Sequence, residues 1–295
     1  SRNGDTFAAY GSGESVEIWS AVTMSRTQVV DTHQGAVARV EFVDNTGDFV
    51  TAGRDGRLIQ WTPAGEPKQL AQLAQPIANF VLVPVTRSAV VNTVDGALWR
   101  SDLDGKALPL RSEGTQVTRM LTLPDRASVC IGYANGDVLL IDTKTWQQTL
   151  LLHASAAIQD IALTSDGRTI AVAANDDTIH VGTRHGDTWT DANATWVTRI
   201  VRARRIALAP DGLLVAISTD GTVWLYSSTR KTWLCVPTGT SDLSLVVVSG
   251  DGKASAVFDA DGRILWIDLD AARSAINNAP TIHQEKDRNH EQGYQ

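Results

Sequence analysis

A two-residue turn signal returns seven times along this chain: Gly13-Glu14, Asp55-Gly56, Asp95-Gly96, Asn135-Gly136, Asp176-Asp177, Asp220-Gly221 and Asp261-Gly262. The second members stand 40 to 44 residues apart. Asp-Gly and Asn-Gly close hairpins because glycine adopts positive φ without steric cost and the Asp or Asn side chain bonds nearby backbone. Each copy lies between two short β-branched, apolar runs, so the period implies one small antiparallel sheet per repeat. A sheet of that size buries too little apolar surface alone. Neighbours must stack face to face, and the array must close to leave no exposed edge. The 295 residues are therefore expected to form one array rather than separate domains.

Each repeat divides into four strands, a to d, separated by polar or glycine-bearing turns. The second repeat reads AVARVEFV, FVTAG, RLIQW and KQLAQL, and the seventh reads LSLVVVS, ASAVFD, RILWIDL and ARSAI. The repeats span approximately 1–32, 33–74, 75–112, 113–152, 153–198, 199–238 and 239–276. This pattern predicts an all-β, seven-bladed β-propeller. The first repeat opens at the equivalent of an a-to-b turn, so its blade is expected to lack its innermost strand within this chain. Residues upstream in a longer polypeptide would supply that strand, or else the C-terminal segment would. Residues 277–295 turn polar and aperiodic, and a flexible tail is expected there.

A formal net charge of −7 and a pI of about 5.3 give no electrostatic footprint for nucleic acid or an anionic membrane surface. No apolar run reaches the roughly eighteen residues of a spanning helix, and no secretory segment opens the chain. A soluble, cytoplasmic protein is expected. Cys130 and Cys235 sit in apolar strand-like runs without metal or redox spacing, which reads as two inert core thiols in a reducing compartment.

The second repeat resembles the WD-repeat family. Thr51 lies on strand b, Asp55 precedes Trp61 by six residues, and His33 stands four residues before Val37 of strand a. In such a set the turn carboxylate accepts from the imidazole, which engages the hydroxyl and through it the indole N–H, so each buried donor has an acceptor. Elsewhere the pattern decays: the strand-c tryptophan becomes Ser101, Ile141, Gly182, Tyr226 and Ile267, and only Trp19 and Trp61 keep it. The resemblance is to divergent bacterial WD-repeat arrays. It implies a C-terminal propeller module of a multidomain signalling or effector protein, with a kinase, protease or nucleotide-switch domain upstream.

Signals for chemistry are sparse. His153 precedes a strand a much as His33 does, while His180 and His185 are expected on exposed loops. Acidic residues concentrate in turns, as turn chemistry alone demands, and the segment SDLDGK lacks the later ligands of a calcium loop. No catalytic residue, metal site or cofactor is expected. Trp146, Trp189 and Trp233 each open a strand d, which reads as packing. One stretch exceeds its background: Arg199, Arg202, Arg204 and Arg205 cluster at the entry to the sixth strand a. They are placed either to receive an acidic or phosphorylated peptide or to neutralise turn aspartates such as Asp176 and Asp220. The expected function is a non-enzymatic interaction, sensing or regulatory scaffold, its partner a protein, a peptide or an upstream domain of the same polypeptide. A propeller enzyme of the lactonase or hydrolase kind and a purely structural subunit are the alternatives.

Overall fold

The computed structural model describes residues 1, 3–43, 47–102, 105–111, 114–185, 188–189, 195–196 and 203–278. They form seven antiparallel sheets in chain order. The first comprises β1 (Thr6–Tyr10), β2 (Ser15–Ser20) and β3 (Ser25–Asp31). The second comprises β4 (Val37–Phe42), β5 (Phe49–Gly53), β6 (Arg57–Trp61) and β7 (Pro67–Gln72). The third runs through β8 (Ile77–Val83), β9 (Ser88–Thr93), β10 (Leu98–Asp102) and β11 (Ala107–Arg111). The fourth has β12 (Val117–Thr122), β13 (Ser128–Tyr133), β14 (Asp137–Asp142) and β15 (Gln148–His153). In the fifth, β16 (Ile158–Leu163), β17 (Thr169–Ala174) and β18 (Ile179–His185) precede two short strands, β19 (Thr188–Trp189) and β20 (Thr195–Trp196), that both pair with β18.

The sixth sheet holds β21 (Ala203–Leu208), β22 (Leu214–Ser218), β23 (Thr222–Ser227) and β24 (Thr232–Pro237). The seventh holds β25 (Leu243–Val248), β26 (Ala254–Asp259) and β27 (Ile264–Asp268), followed by a helix, α1 (Leu269–Asn278). The first five sheets lie in one compact unit, Ser1–Thr198, and the last two with the helix in a second, Arg199–Gln295.

The turn doublets are needed for two reasons, seen most clearly at Gly136. It adopts φ +90° and donates its N–H to Tyr133 O at 3.2 Å. A Cβ there would also overlap the carbonyl oxygen of Ala154, because the chain leaving β15 packs directly on the hairpin and Ala154 N–H donates to Gly136 O at 2.8 Å. Only glycine meets both demands.

Central strands bury both faces. In β5, Phe49 joins an apolar cluster with Val16, Ile18 and Val37, while Val50 and Ala52 join another with Ile77, Phe80 and Ala89. In β9, Ala89 and Val91 share that second cluster, and Val90 enters a third with Met120 and Ile131. Apolar layers thus alternate with sheets through the first unit. This is why strands such as SVCIGY read as near-continuous apolar runs rather than alternating ones.

The seventh repeat corrects an expectation, for ARSAI is helix and not a fourth strand. Asp268 Oδ1 accepts the N–H groups of Asp270 and Ala271 at 2.9 and 3.0 Å, capping the helix start. Leu269, Ala272 and Ile276 then fall on one face and bury against Leu213, Val215, Val223 and Leu225. Arg273 clamps the helix from outside, donating to both oxygens of Asp211 at 2.7 and 3.0 Å and to Gly252 O at 3.0 Å. Asn277 and Asn278 belong to this helix and not to the tail; residues 279–295 lie outside the described residues.

Two smaller corrections follow from exposure and backbone. Cys130 is buried, and burial pushes its thiol up to about 12, but Cys235 is exposed on β24 rather than a core thiol. Trp146 precedes β15 in a left-handed turn (φ +62°) instead of opening that strand.

Gly136→Ala is expected to destabilise the first unit by about 2 to 4 kcal/mol, combining the left-handed penalty with the overlap on Ala154. Ile276→Ala is expected to cost about 2 to 4 kcal/mol by leaving a cavity beneath α1. Denaturant titration of each purified variant against wild type checks both figures.

Candidate functional site

The second sheet carries the most complete polar chain. Trp61 Nε1–H donates to Thr51 Oγ1 at 2.9 Å, and Thr51 Oγ1 lies 2.9 Å from His33 Nε2. His33 Nδ1 lies 2.9 Å from Asp55 Oδ1. The consistent proton assignment is a neutral imidazole that donates from Nδ1 to Asp55 and accepts the Thr51 hydroxyl at Nε2. Burial holds His33 below its ordinary value, against the pull of Asp55. Burial also pushes Asp55 up, but the Gln34 and Arg57 N–H groups, the Arg57 guanidinium and His33 outweigh it and leave the carboxyl at about 2. The imidazole covers Gly53, where any Cβ would meet the ring. Phe49 stacks on Trp61 beneath the chain at 6.3 Å.

Other hairpins satisfy the turn carboxylate differently. At the position of Gly53 the third sheet has Thr93, whose hydroxyl donates to Asp95 Oδ1 at 2.6 Å, and the sixth has Ser218, which donates to Asp220. In the fifth sheet Ser155 and Thr178 supply hydroxyls to Asp176. A single hydroxyl can thus replace the histidine–glycine pair. His153 departs from the expected analogy with His33, because its Nδ1 pairs at 2.7 Å with Asp137 of its own sheet and the ring is largely exposed. His180 is buried on β18, its Nε2 3.1 Å from Thr178 Oγ1, instead of lying on an exposed loop; His185, at the end of β18, is exposed.

A second recurrent feature had no signal in the residue pattern. The first strands of sheets two to seven each carry a register shift at their second residue: Ala38, Ala78, Thr118, Gln159, Arg204 and Ser244. Such bulges re-aim the side chains that follow. Arg39 donates to Glu41 Oε1 at 2.9 and 2.6 Å, and Glu41 Oε2 accepts Leu82 N–H of the next sheet at 2.8 Å. Burial raises the Glu41 carboxyl above the usual range, with Arg39 and Leu82 opposing. Thr122 completes this stitch by donating to Leu82 O at 2.7 Å. Asp160, nearly fully buried, pairs with Arg119 at 2.8 Å and accepts Ile161 N–H at 3.0 Å. The acids of these strands are thus held by arginines and backbone N–H groups.

Of the four arginines singled out in the sequence, Arg199 and Arg202 lie outside the described residues. Arg204 and Arg205 lie on β21, Arg204 as the exposed bulge residue. Arg204 Nη1 donates to Leu243 O at 3.4 Å and Arg205 Nη1 to Arg204 O at 3.1 Å. Asp176 and Asp220 are instead held by hydroxyls and turn N–H groups. Among the described residues no group of three or more His, Cys, Asp or Glu side chains is placed to hold a metal ion. Among the described residues no helix is long and apolar enough to cross a membrane.

No protein-family model and no curated protein sequence matches the chain. Among solved structures it is similar to the β-propeller domain of Cps50 (Swd1) from Myceliophteria thermophila, with 15% identity, a TM-score of 0.69, and coverage of 90% of this chain and 93% of that one. The fold is that of a β-propeller, with the seven sheets as its blades.

Asp55→Ala is expected to lower stability by about 2 to 4 kcal/mol, since it strands the buried imidazole and the donors behind it. The pH dependence has a fixed sign. Both folded values are depressed, so both groups stabilise at neutral pH. The His33 contribution declines as pH falls below 6.5, and that of Asp55 declines between 3.8 and about 2. Denaturant midpoints measured from pH 8 to 2 should show the lower step in wild type and lose it in Asp55→Ala.

Proposed function

We propose that this chain is a non-catalytic propeller that binds a protein or peptide through its loops and strand ends. The observation that carries the reading is Arg204 and Arg205: among the described residues neither is paired with a carboxylate, and their side-chain hydrogen bonds there go to carbonyl oxygens alone. Guanidinium groups without a carboxylate partner among the described residues, at the entry to a strand, suit a bidentate acidic or phosphorylated group. Arg199 and Arg202 extend the same stretch in sequence. Supporting this, Glu41, Asp160 and Asp55 are each engaged in scaffold interactions and offer no free acid–base pair.

The likeness to WD-repeat arrays extends the proposal to a sensing or regulatory role in a larger, bacterial, cytoplasmic polypeptide. In that setting the partner is either a separate protein or a domain of the same chain. An acidic net charge of −7 argues against nucleic acid and anionic lipid as partners.

Fluorescence anisotropy against an array of phosphorylated peptides, run beside an ester and lactone hydrolysis panel with and without divalent cations, tests the reading. Saturable binding that weakens at least tenfold in Arg204→Glu/Arg205→Glu, with unchanged circular dichroism, is expected. Metal-dependent turnover, or binding indifferent to both charge reversals, would overturn it.

A further inference from the structure

The first sheet has three strands, and one of its edges is β1. Asp5 O accepts Ala21 N–H at 2.8 Å, and β1 pairs with β2 in the register that sets Phe7 against Trp19 and Ala9 against Glu17. Bonded rungs alternate along an antiparallel pair, so Asp5, Phe7 and Ala9 turn their main-chain groups to β2. Thr6, Ala8 and Tyr10 turn theirs to the open edge. Ser1 closes the first of these three rungs: its Oγ accepts Thr6 N–H at 2.9 Å, and its nitrogen donates to Thr6 O at 2.6 Å. The main-chain groups of Ala8 and Tyr10 have no partner on that edge among the described residues.

In the other six sheets the same edge is covered, by β4, β8, β12, β16, β21 and β25. The residues at the position of Phe7 there, Phe49, Ala89, Val129, Ile170, Leu214 and Ser255, are each at most 1% exposed, whereas Phe7 is 39% and Tyr10 44% exposed. Opposite the position of Ala9 the covering strands place Val40, Phe80, Met120, Ile161, Ile206 and Val246, all apolar. Open edges are commonly blunted by lysine, proline or a bulge. β1 reads Thr-Phe-Ala-Ala-Tyr with an unbroken register and has none of these. Residues 279–295 hold no run of three apolar residues, so the chain's own C-terminal segment does not match the cover that the other sheets use.

We infer that β1 is an acceptor edge, onto which a separate protein partner adds one extended strand antiparallel to β1. Its main chain bonds Ala8 and Tyr10, and a bulky apolar side chain lies opposite Ala9, on the face where Phe7 stacks on Trp19 at 6.1 Å. Main-chain bonds supply the affinity, and the apolar residue fixes the register, because a slip of one residue would turn it to the other face. The inference rests on the reading of the chain as a module that binds a protein or peptide, but it uses the main chain of β1 and not the arginines of β21.

The probe is a fluorescein-labelled hexapeptide amide with the sequence of β16, Ile-Gln-Asp-Ile-Ala-Leu, whose fifth residue would stand opposite Ala8 and whose fourth would stand opposite Ala9. Saturable anisotropy is expected with the wild-type chain. N-methylation of the fifth residue removes an N–H that faces β1 and is expected to weaken binding about tenfold or more, while N-methylation of the fourth, which faces away, leaves it unchanged. Ala8→Pro removes an N–H that β2 does not use, so it is expected to keep the circular dichroism of wild type and lose the probe; should that variant fail to fold, the two N-methyl peptides decide alone. Arg204→Glu/Arg205→Glu is expected to leave this probe's affinity unchanged, which separates failure here from failure of the general reading. Absence of binding, or equal weakening by both N-methyl groups, would overturn the inference. So would self-association of the chain in sedimentation that Ala8→Pro abolishes, which gives the edge to a second copy, or binding that appears only after residues 279–295 are removed, which gives it to the chain itself.

Discussion

The contact on which much of this fold depends is the close approach of the connections leaving the second, fourth and sixth sheets to the preceding hairpins of those sheets. Leu73, Ala154 and Thr238 donate their N–H groups to Gly56, Gly136 and Gly221, and the same connections leave no room for a Cβ at those glycines. That approach sets where a sheet ends and where the first strand of the next begins. It thereby decides which apolar residues face each other in the layers beneath. At these three hairpins the glycine is consequently a packing residue as much as a turn residue, and the forty-residue period outlasts the histidine and tryptophan signatures of the second repeat.

The decay of those signatures has a chemical reason. A hairpin carboxylate needs donors, and the chain supplies them in interchangeable ways: an imidazole over Gly53, a hydroxyl at Thr93 or Ser218, or a pair of hydroxyls from Ser155 and Thr178. Each solution satisfies the acceptor, so the histidine, the glycine beneath it and the tryptophan beyond are free to vary together. In the second blade all of them remain because each leans on the next. Losing the histidine would leave the buried Thr51 hydroxyl, which accepts from Trp61, without an acceptor for its own proton.

Strand order and blade number were legible in the sequence because turn chemistry and apolar runs repeat with the fold. The helix α1 was partly legible: Asp268 is a capping residue, and Leu269, Ala272 and Ile276 have helical spacing, but ten residues in a β-rich repeat suggested a strand. The bulges at Ala38 through Ser244 were not legible, since one extra residue in a short apolar run leaves no mark on composition or alternation. Nor was the stitch from Glu41 through Leu82 to Thr122, which joins three blades across forty-residue intervals and needs coordinates to be seen. Cys235 misled because the outer strand β24 is apolar in sequence yet only partly covered.

A repeat scaffold of this kind consumes the residue types from which active sites are built. Asp, His, Ser and Thr hold turns, and Glu41 and Asp160 are locked to arginines, so finding such residues close together carries little functional information here. What carries information is departure from the repeat. Arg87 and Arg126 occupy left-handed positions that other blades give to glycine, and Arg204 occupies a bulge that other blades fill with small or neutral residues. None of these arginines is required by the local backbone, and two are disfavoured by it. The same physics that makes the blades interchangeable therefore singles out the positions where they differ, among them Arg204 at its bulge and Asp177 at a hairpin position that most other blades give to glycine.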